Sequence, residues 1–154
     1  MLRFIGNILW HFPFFGFLSA LYMFFLGAFF TLTIVGAPLG AGLFELGRFY
    51  LAPFGNRIVD ASDLGTPLSQ NPVWIVWGWL VTLCWLPFGL IACFFLVFQA
   101  LGLCLTIIGI PAGIAIFRSL DTILNPVGKT VISAELKQEL GRRYVERQAD
   151  RYRR

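Results

Sequence analysis

The sequence predicts an all-α integral membrane protein: two tandem helical-hairpin repeats, about four membrane segments with the second arm of each hairpin short or re-entrant, and a cytoplasmic C-terminal helix. Three observations carry this. No charged residue stands between Arg3 and Glu45 or between Asp63 and Arg118, and each window exceeds the roughly 20 apolar residues a helix needs to cross the hydrocarbon core. Only 13% of the residues are charged, against about 25% in soluble domains. TIVGAPLGAGLF at 33–44 returns as TIIGIPAGIAIF at 106–117, an offset of 73 residues (106 − 33).

The offset holds without a gap well beyond this motif. Phe15-Gly16 pairs with Phe88-Gly89, and Gly36, Pro38, Gly40 and Phe44 pair with Gly109, Pro111, Gly113 and Phe117. Leu51, Pro53, Gly55 and Ala61 pair with Leu124, Pro126, Gly128 and Ala134. Shared glycines and prolines in a Leu/Phe-rich background indicate a duplication. Three units follow: residues 1–63 as a first membrane repeat, 64–133 as a second, and 134–154 as a basic juxtamembrane helix.

Leu2–Phe12, with Arg3, Asn7 and His11, reads as an interfacial helix. Apolar sequence then continues to Val35, too long for the core of a signal peptide, so Phe14–Val35 reads as the first long helix. Gly36-Ala37-Pro38 breaks it. Gly supplies backbone freedom, and Pro suits a first helical turn because its missing N–H has no intrahelical partner there. The helix that follows, Pro38–Leu51, has 14 residues and spans only about 21 Å, short of the roughly 30 Å core. Pro53 and Gly55 end it, and Arg57 is the first basic residue beyond.

The second unit repeats this order. Asn71–Leu86 carries Trp74, Trp77, Trp79 and Trp85 and reads as an aromatic belt ending at Pro87. Phe88–Ile108 is the second long helix, Gly109-Ile110-Pro111 the break, Pro111–Leu124 the short arm, and Lys129 the first basic residue past Pro126 and Gly128. In the tail from Ser133, Leu136, Leu140 and Tyr144 share a face, Glu139–Arg143 and Arg142–Glu146 are spaced for ion pairs, and Ser133 is placed to cap. Seven basic and four acidic residues leave the tail at +3 (7 − 4), fitting anionic lipid or a partner protein.

Chemistry-bearing clusters are missing from the pattern. Cys84, Cys93 and Cys104 form no metal-ligand spacing, and His11 has no paired carboxylate. No metal, cofactor, nucleic acid or catalytic activity is expected.

The strings LAPFGNRIVDASDL (51–64), LTIIGIPAGIAIFR (105–118) and LNPVGKTVIS (124–133) resemble the YccF family of small bacterial inner-membrane proteins. The likeness covers most of residues 1–133 in the same order, including the two-copy arrangement. It implies a multi-pass inner-membrane protein without an established catalytic activity, and it carries over no catalytic residues.

Two functions remain in view. One is a homo-oligomer in the lipid bilayer with a channel or transport path at a subunit axis, with Thr33, Gly36, Pro38, Gly40, Thr106, Gly109, Pro111 and Gly113 as helix-break or path residues. Trp74, Trp77, Trp79, Trp85, Arg57 and Lys129 would anchor it at the interface. The other is a non-conducting scaffold whose tail binds a partner or anionic lipid. Either way, the positive-inside rule places both termini in the cytoplasm. Cysteine labels at the two ends are expected to react from the same face; labelling from opposite faces defeats the arrangement.

Overall fold

The computed structural model describes residues 2–12, 14–64 and 72–152. Six helices, α1 (Leu2–His11), α2 (Gly16–Leu32), α3 (Ala37–Leu51), α4 (Pro72–Cys104), α5 (Ile110–Leu124) and α6 (Ala134–Tyr152), account for most of them. Two strands, β1 (Asn56–Asp60) and β2 (Lys129–Ser133), complete the fold, with a 3-10 turn at Ala61–Leu64. Except for α4, which starts at Pro72 and not at Phe88, the helical bounds fall within a few residues of those read from the sequence. Within α4, Ile75–Cys104 is long and apolar enough to cross a membrane by itself, with a mean hydropathy of 2.4. The segments Arg3–His11 and Gly16–Leu32 pass the same test only as a pair bent by 76°.

Helices α2 and α3 pack along each other as a hairpin, and so do α4 and α5. Small residues set the spacing of both. A Cβ on Gly40 would sit 2.6 Å from the Gly27 carbonyl, and one on Gly113 would sit 3.0 Å from the Ala100 carbonyl. These are the same crossing point at the 73-residue offset (100 − 27 and 113 − 40). Small residues at the crossing let the two backbones approach this closely. Ala20, Ala100, Ala112 and Ala115 are fully buried for the same reason. The main core gathers around Trp10, Leu46, Phe49 and Tyr50 from the first half and Ile116 and Ile123 from the second.

Three features differ from the sequence reading. The first is the small sheet: an all-helical chain is expected, yet β1 and β2 pair antiparallel with Ile58 opposite Val131. Each strand is five residues rich in Ile, Val and Thr, which favour a pleated, half-buried surface, but each needs the other half of the chain to form. The second is α4, which runs as one 33-residue helix through Pro87, whereas a break is expected there. A proline removes one helical hydrogen bond but does not oblige a helix to end. At 1.5 Å per residue α4 is about 50 Å long. The third is the start of the first long helix: Phe15 takes a left-handed conformation (φ 51°) and separates α1 from α2.

The tail forms α6 as expected. Ser133 Oγ accepts from the Leu136 N–H at 3.2 Å, an N-cap bond, and Glu139 pairs with Arg143 at 3.0 Å. Arg142 turns back to Glu139 at 2.9 Å instead of forward to Glu146. The side chain of Tyr144 lies outside the described residues.

Contact between the two halves generates a test. A Cβ on Gly42 in α3 would collide with the Pro126 carbonyl that precedes β2, whereas one on Gly102 would meet nothing within 4 Å. Gly42→Ala is expected to lower stability in detergent by about 1–3 kcal/mol through overpacking. Gly102→Ala is expected to leave it unchanged or raise it slightly, since Ala is the better helix former. Equal effects of the two would refute the close packing of the halves at Gly42.

Candidate functional site at the membrane interface

The two hairpin tips are built alike. In the first, Thr33 Oγ1 donates to the Phe30 carbonyl at 2.6 Å and accepts from the Gly36 N–H at 3.2 Å. In the second, Thr106 Oγ1 donates to the Leu103 carbonyl at 2.9 Å and accepts from the Gly109 N–H at 3.1 Å. In the first tip the other turn amides also bond locally: Ile34 N–H to Thr31, Val35 N–H to Thr33 and Ala37 N–H to Ile34. Gly40 and Gly113 close the first helical bonds to the Gly36 and Gly109 carbonyls, both at 2.8 Å. Pro38 and Pro111 lie in the first turn of α3 and α5 and have no N–H to satisfy.

Both tips are apolar on the outside. Leu32 is 84% exposed, Ile34 83%, Leu105 89% and Ile107 87%. Ile34 also takes a left-handed conformation (φ 56°), which a β-branched residue adopts only under strain. The Thr33 and Thr106 hydroxyls are committed to their own turns. Among the described residues no hydrogen bond or ring contact joins one tip to the other. Gly40 and Gly113 are covered by the opposite arm of their own hairpin.

At the other end of the hairpins, helix-terminal carbonyls need donors, because the last turn of a helix has no intrahelical partners. Trp10 Nε1–H donates to the Tyr50 carbonyl at 2.7 Å, and Trp85 Nε1–H to the Ile123 carbonyl at 2.8 Å. These two carbonyls are equivalent (123 − 50 = 73). His11 Nε2 donates to Leu51 at 2.9 Å. Trp10 also stacks on Tyr50, and the Tyr50 hydroxyl donates at 2.8 Å to Ser119 Oγ, which donates on to Ile116 at 2.7 Å. Trp77 and Trp79 are exposed, and the side chain of Trp74 lies outside the described residues.

Beyond the carbonyls lies a charged plate around the sheet. Lys129 Nζ reaches Asp121 at 2.7 Å and Asp60 at 3.1 Å, with only 7% of its side chain exposed. Burial works against the ammonium charge, but the bonds to Asp121 and Asp60, with their negative charge, outweigh it and push the Lys129 pKa above the ordinary lysine value. Glu45 holds Arg48 at 2.6 Å and accepts the Val131 N–H of β2 at 2.8 Å. Arg57 lies half-buried on β1. Sequence reasoning singled out Lys129 and Arg57 but missed Trp10, Glu45, Asp60 and Asp121. One available signal was that Glu45 and Arg118 stand one 73-residue offset apart (118 − 45 = 73) with opposite charge.

This arrangement holds an apolar wedge under a charged layer. Comparison with known proteins bears on where it sits. A family model described as the YccF inner membrane component domain matches residues 5–56. The proteins named Inner membrane protein YccF in Escherichia coli (strain K12) and Shigella flexneri are each 33% identical over 102 residues, 66% of this chain and 68% of theirs. No solved structure matches.

The Lys129 cluster has a pH signature. A pKa raised by folding contributes stability that is present below the unfolded lysine value of 10.5 and is lost as pH rises through the folded value. Thermal stability in detergent is therefore expected to hold through neutral pH and fall in the alkaline range. Lys129→Met should cost about 1–2 kcal/mol at neutral pH by leaving two carboxylates unpaired, and should flatten the alkaline fall. An unchanged alkaline fall in the variant would assign it to other groups.

Proposed function

The chain belongs to the YccF family of inner-membrane proteins, and from that premise we propose that it is a non-conducting membrane scaffold: two duplicated hairpins enter the bilayer from the cytoplasmic face and carry a charged plate that presents α6. The observation that carries this reading is the distance from each tip to its first charge. Glu45 lies eight residues past Ala37 and Arg118 eight past Ile110, about 12 Å along either helix. A tip at the far headgroups of a roughly 30 Å core would leave Glu45, Arg48, Arg118 and Asp121 near the midplane, where ionised groups cost several kcal/mol. Charges at the near interface leave the tips inside hydrocarbon instead. Backbone at that depth must satisfy itself, and the threonine bonds of both tips with the local amide bonds of the first serve that demand.

Re-entry of both hairpins keeps the N-terminus, the sheet and α6 on one side, and the basic residues favour the cytoplasm. The sheet supports reading residues 1–63 and 64–133 as copies, followed by the 134–154 helix. Its central pair, Ile58 and Val131, stands at equivalent positions (131 − 58 = 73), so the local two-fold of the ribbon relates one copy to the other. A two-fold that keeps both tips on one side runs near the membrane normal, as in a parallel repeat. The scaffold role then falls to α6, whose Leu136 and Leu140 are exposed beside the Glu139–Arg143 pair.

A second reading, a path shared between subunits, draws on one observation. Ser19 and Gln99, neither with a hydrogen-bond partner among the described residues, line a pocket of about 100 Å³ with Trp10 and Tyr50. Unpaired polar groups on apolar helices seek partners across an interface. The amino half of α4 points the same way, exposing Val73, Val76, Trp79, Leu80 and Leu83 beside the plate, where Gly78 meets Val127.

Depth separates the readings. With the native cysteines replaced, Ile34→Cys and Ile107→Cys are expected to resist a membrane-impermeant maleimide from both faces until the bilayer is dissolved. Ile107→Lys is expected to impair insertion. Labelling from the periplasmic face, or steady single-channel currents in a planar bilayer, would displace the scaffold reading in favour of the shared path.

A further inference from the structure

The charged plate is neutralised unevenly. Arg48 has Glu45, Lys129 has Asp60 and Asp121, and Arg3 has Glu135 at 3.2 Å. Arg57 and Arg118 have no carboxylate partner among the described residues, yet they lie close enough for their charges to repel. The Arg118 guanidinium sits over the Phe54 ring, 5.8 Å from its centroid. That ring is fixed in turn: the Phe54 N–H donates to Asn7 Oδ1 at 3.2 Å, and Gly6 of α1 lies directly against the ring. Two cations are thus held together at the base of the second hairpin without an anion between them.

The duplicated position in the other half shows what an anion does there. Ala61 N–H bonds to Gly128 and Ala134 N–H to Gly55, which fixes the alternation of the ladder so that the central pair, Ile58 and Val131, points its N–H groups outward. Val131 N–H meets the Glu45 carboxylate. Ile58 N–H has no carboxylate among the described residues, and the residue equivalent to Glu45 is Arg118. One side of the sheet carries its own anion; the other carries two arginines in its place.

We infer that Arg57 and Arg118 form a binding site for a phosphate-bearing anion at the bilayer surface. A guanidinium offers forked donors that match phosphate oxygens in pairs, and a bound dianion or diester relieves the repulsion between the two arginines. An anionic phospholipid headgroup and free phosphate share this chemistry. The headgroup assignment rests on the hairpin depth proposed above, which brings Arg118 to the near interface; binding of phosphate itself does not.

Full-length protein extracted from vesicles of phosphatidylcholine and phosphatidylglycerol is examined by native mass spectrometry for retained lipid. The wild type is expected to prefer phosphatidylglycerol. Arg57→Gln and Arg118→Gln should each reduce the preference about tenfold, the scale of one charge-assisted hydrogen bond, with Arg118→Lys falling less. Lys137→Gln, which removes an exposed cation on α6, should leave the preference intact. Displacement of the lipid by an equal concentration of inorganic phosphate supports the site and assigns it to a soluble anion. Equal retention of the two lipids by the wild type with no displacement by phosphate, or the same loss from Lys137→Gln, overturns it. Lipid retention is read in micelles without reference to tip depth, so maleimide labelling and this experiment fail independently.

Discussion

Backbone that leaves water must make its hydrogen bonds within the chain, and the arrangement of this protein follows from that constraint. At the tips a threonine hydroxyl serves as both donor and acceptor where the chain reverses direction, in four residues at the first tip and five at the second, without a polar loop. At the opposite ends it is an indole N–H on a terminal carbonyl, supplied by Trp10 in one hairpin and Trp85 in the other. Indole suits the task because it is mostly apolar and carries a single donor. A lysine in the same place would bring a charge that burial penalises.

The sheet is where water-facing chemistry resumes, and there the two halves cease to be alike. Strands exchange bonds across the ribbon, but the outward N–H groups of the central pair must look elsewhere. Glu45 answers for Val131 with one carboxylate oxygen, while Arg48 holds the other at 2.6 Å. At the equivalent positions the signs are reversed, Arg118 for Glu45 and Asp121 for Arg48, and Asp121 is drawn to Lys129 instead.

Much of the helical layout was legible because its causes are local. Gly36-Ala37-Pro38 and Gly109-Ile110-Pro111 state their turns in three residues, and the charge-free windows state the apolar helices. The sheet was not legible, since Asn56–Asp60 and Lys129–Ser133 are each too short to signal a strand and depend on pairing across 73 residues. Pro87 misled because a proline marks a helix boundary only on average; in α4 the apolar packing on both sides continues past it. The Lys129 cluster escaped because its partners come from α5 and β1, and no sequence spacing brings Asp60 near Asp121.

The deepest difference between the halves lies before each long helix. Phe15 adopts a left-handed conformation, so α1 turns aside and lays Trp10 into the core beneath α5. In the second half no such residue interrupts, and α4 continues straight for about 50 Å, leaving Val73, Val76, Trp79 and Leu83 exposed. The first half spends its leading segment on closing the chain's own core. The second half presents the corresponding segment mostly outward, although Gly78 meets Val127 and Val81 is buried. One left-handed residue thus separates two uses of an apolar leading segment: bent at Phe15, α1 joins the core, whereas the straight α4 carries its amino half past the end of α5.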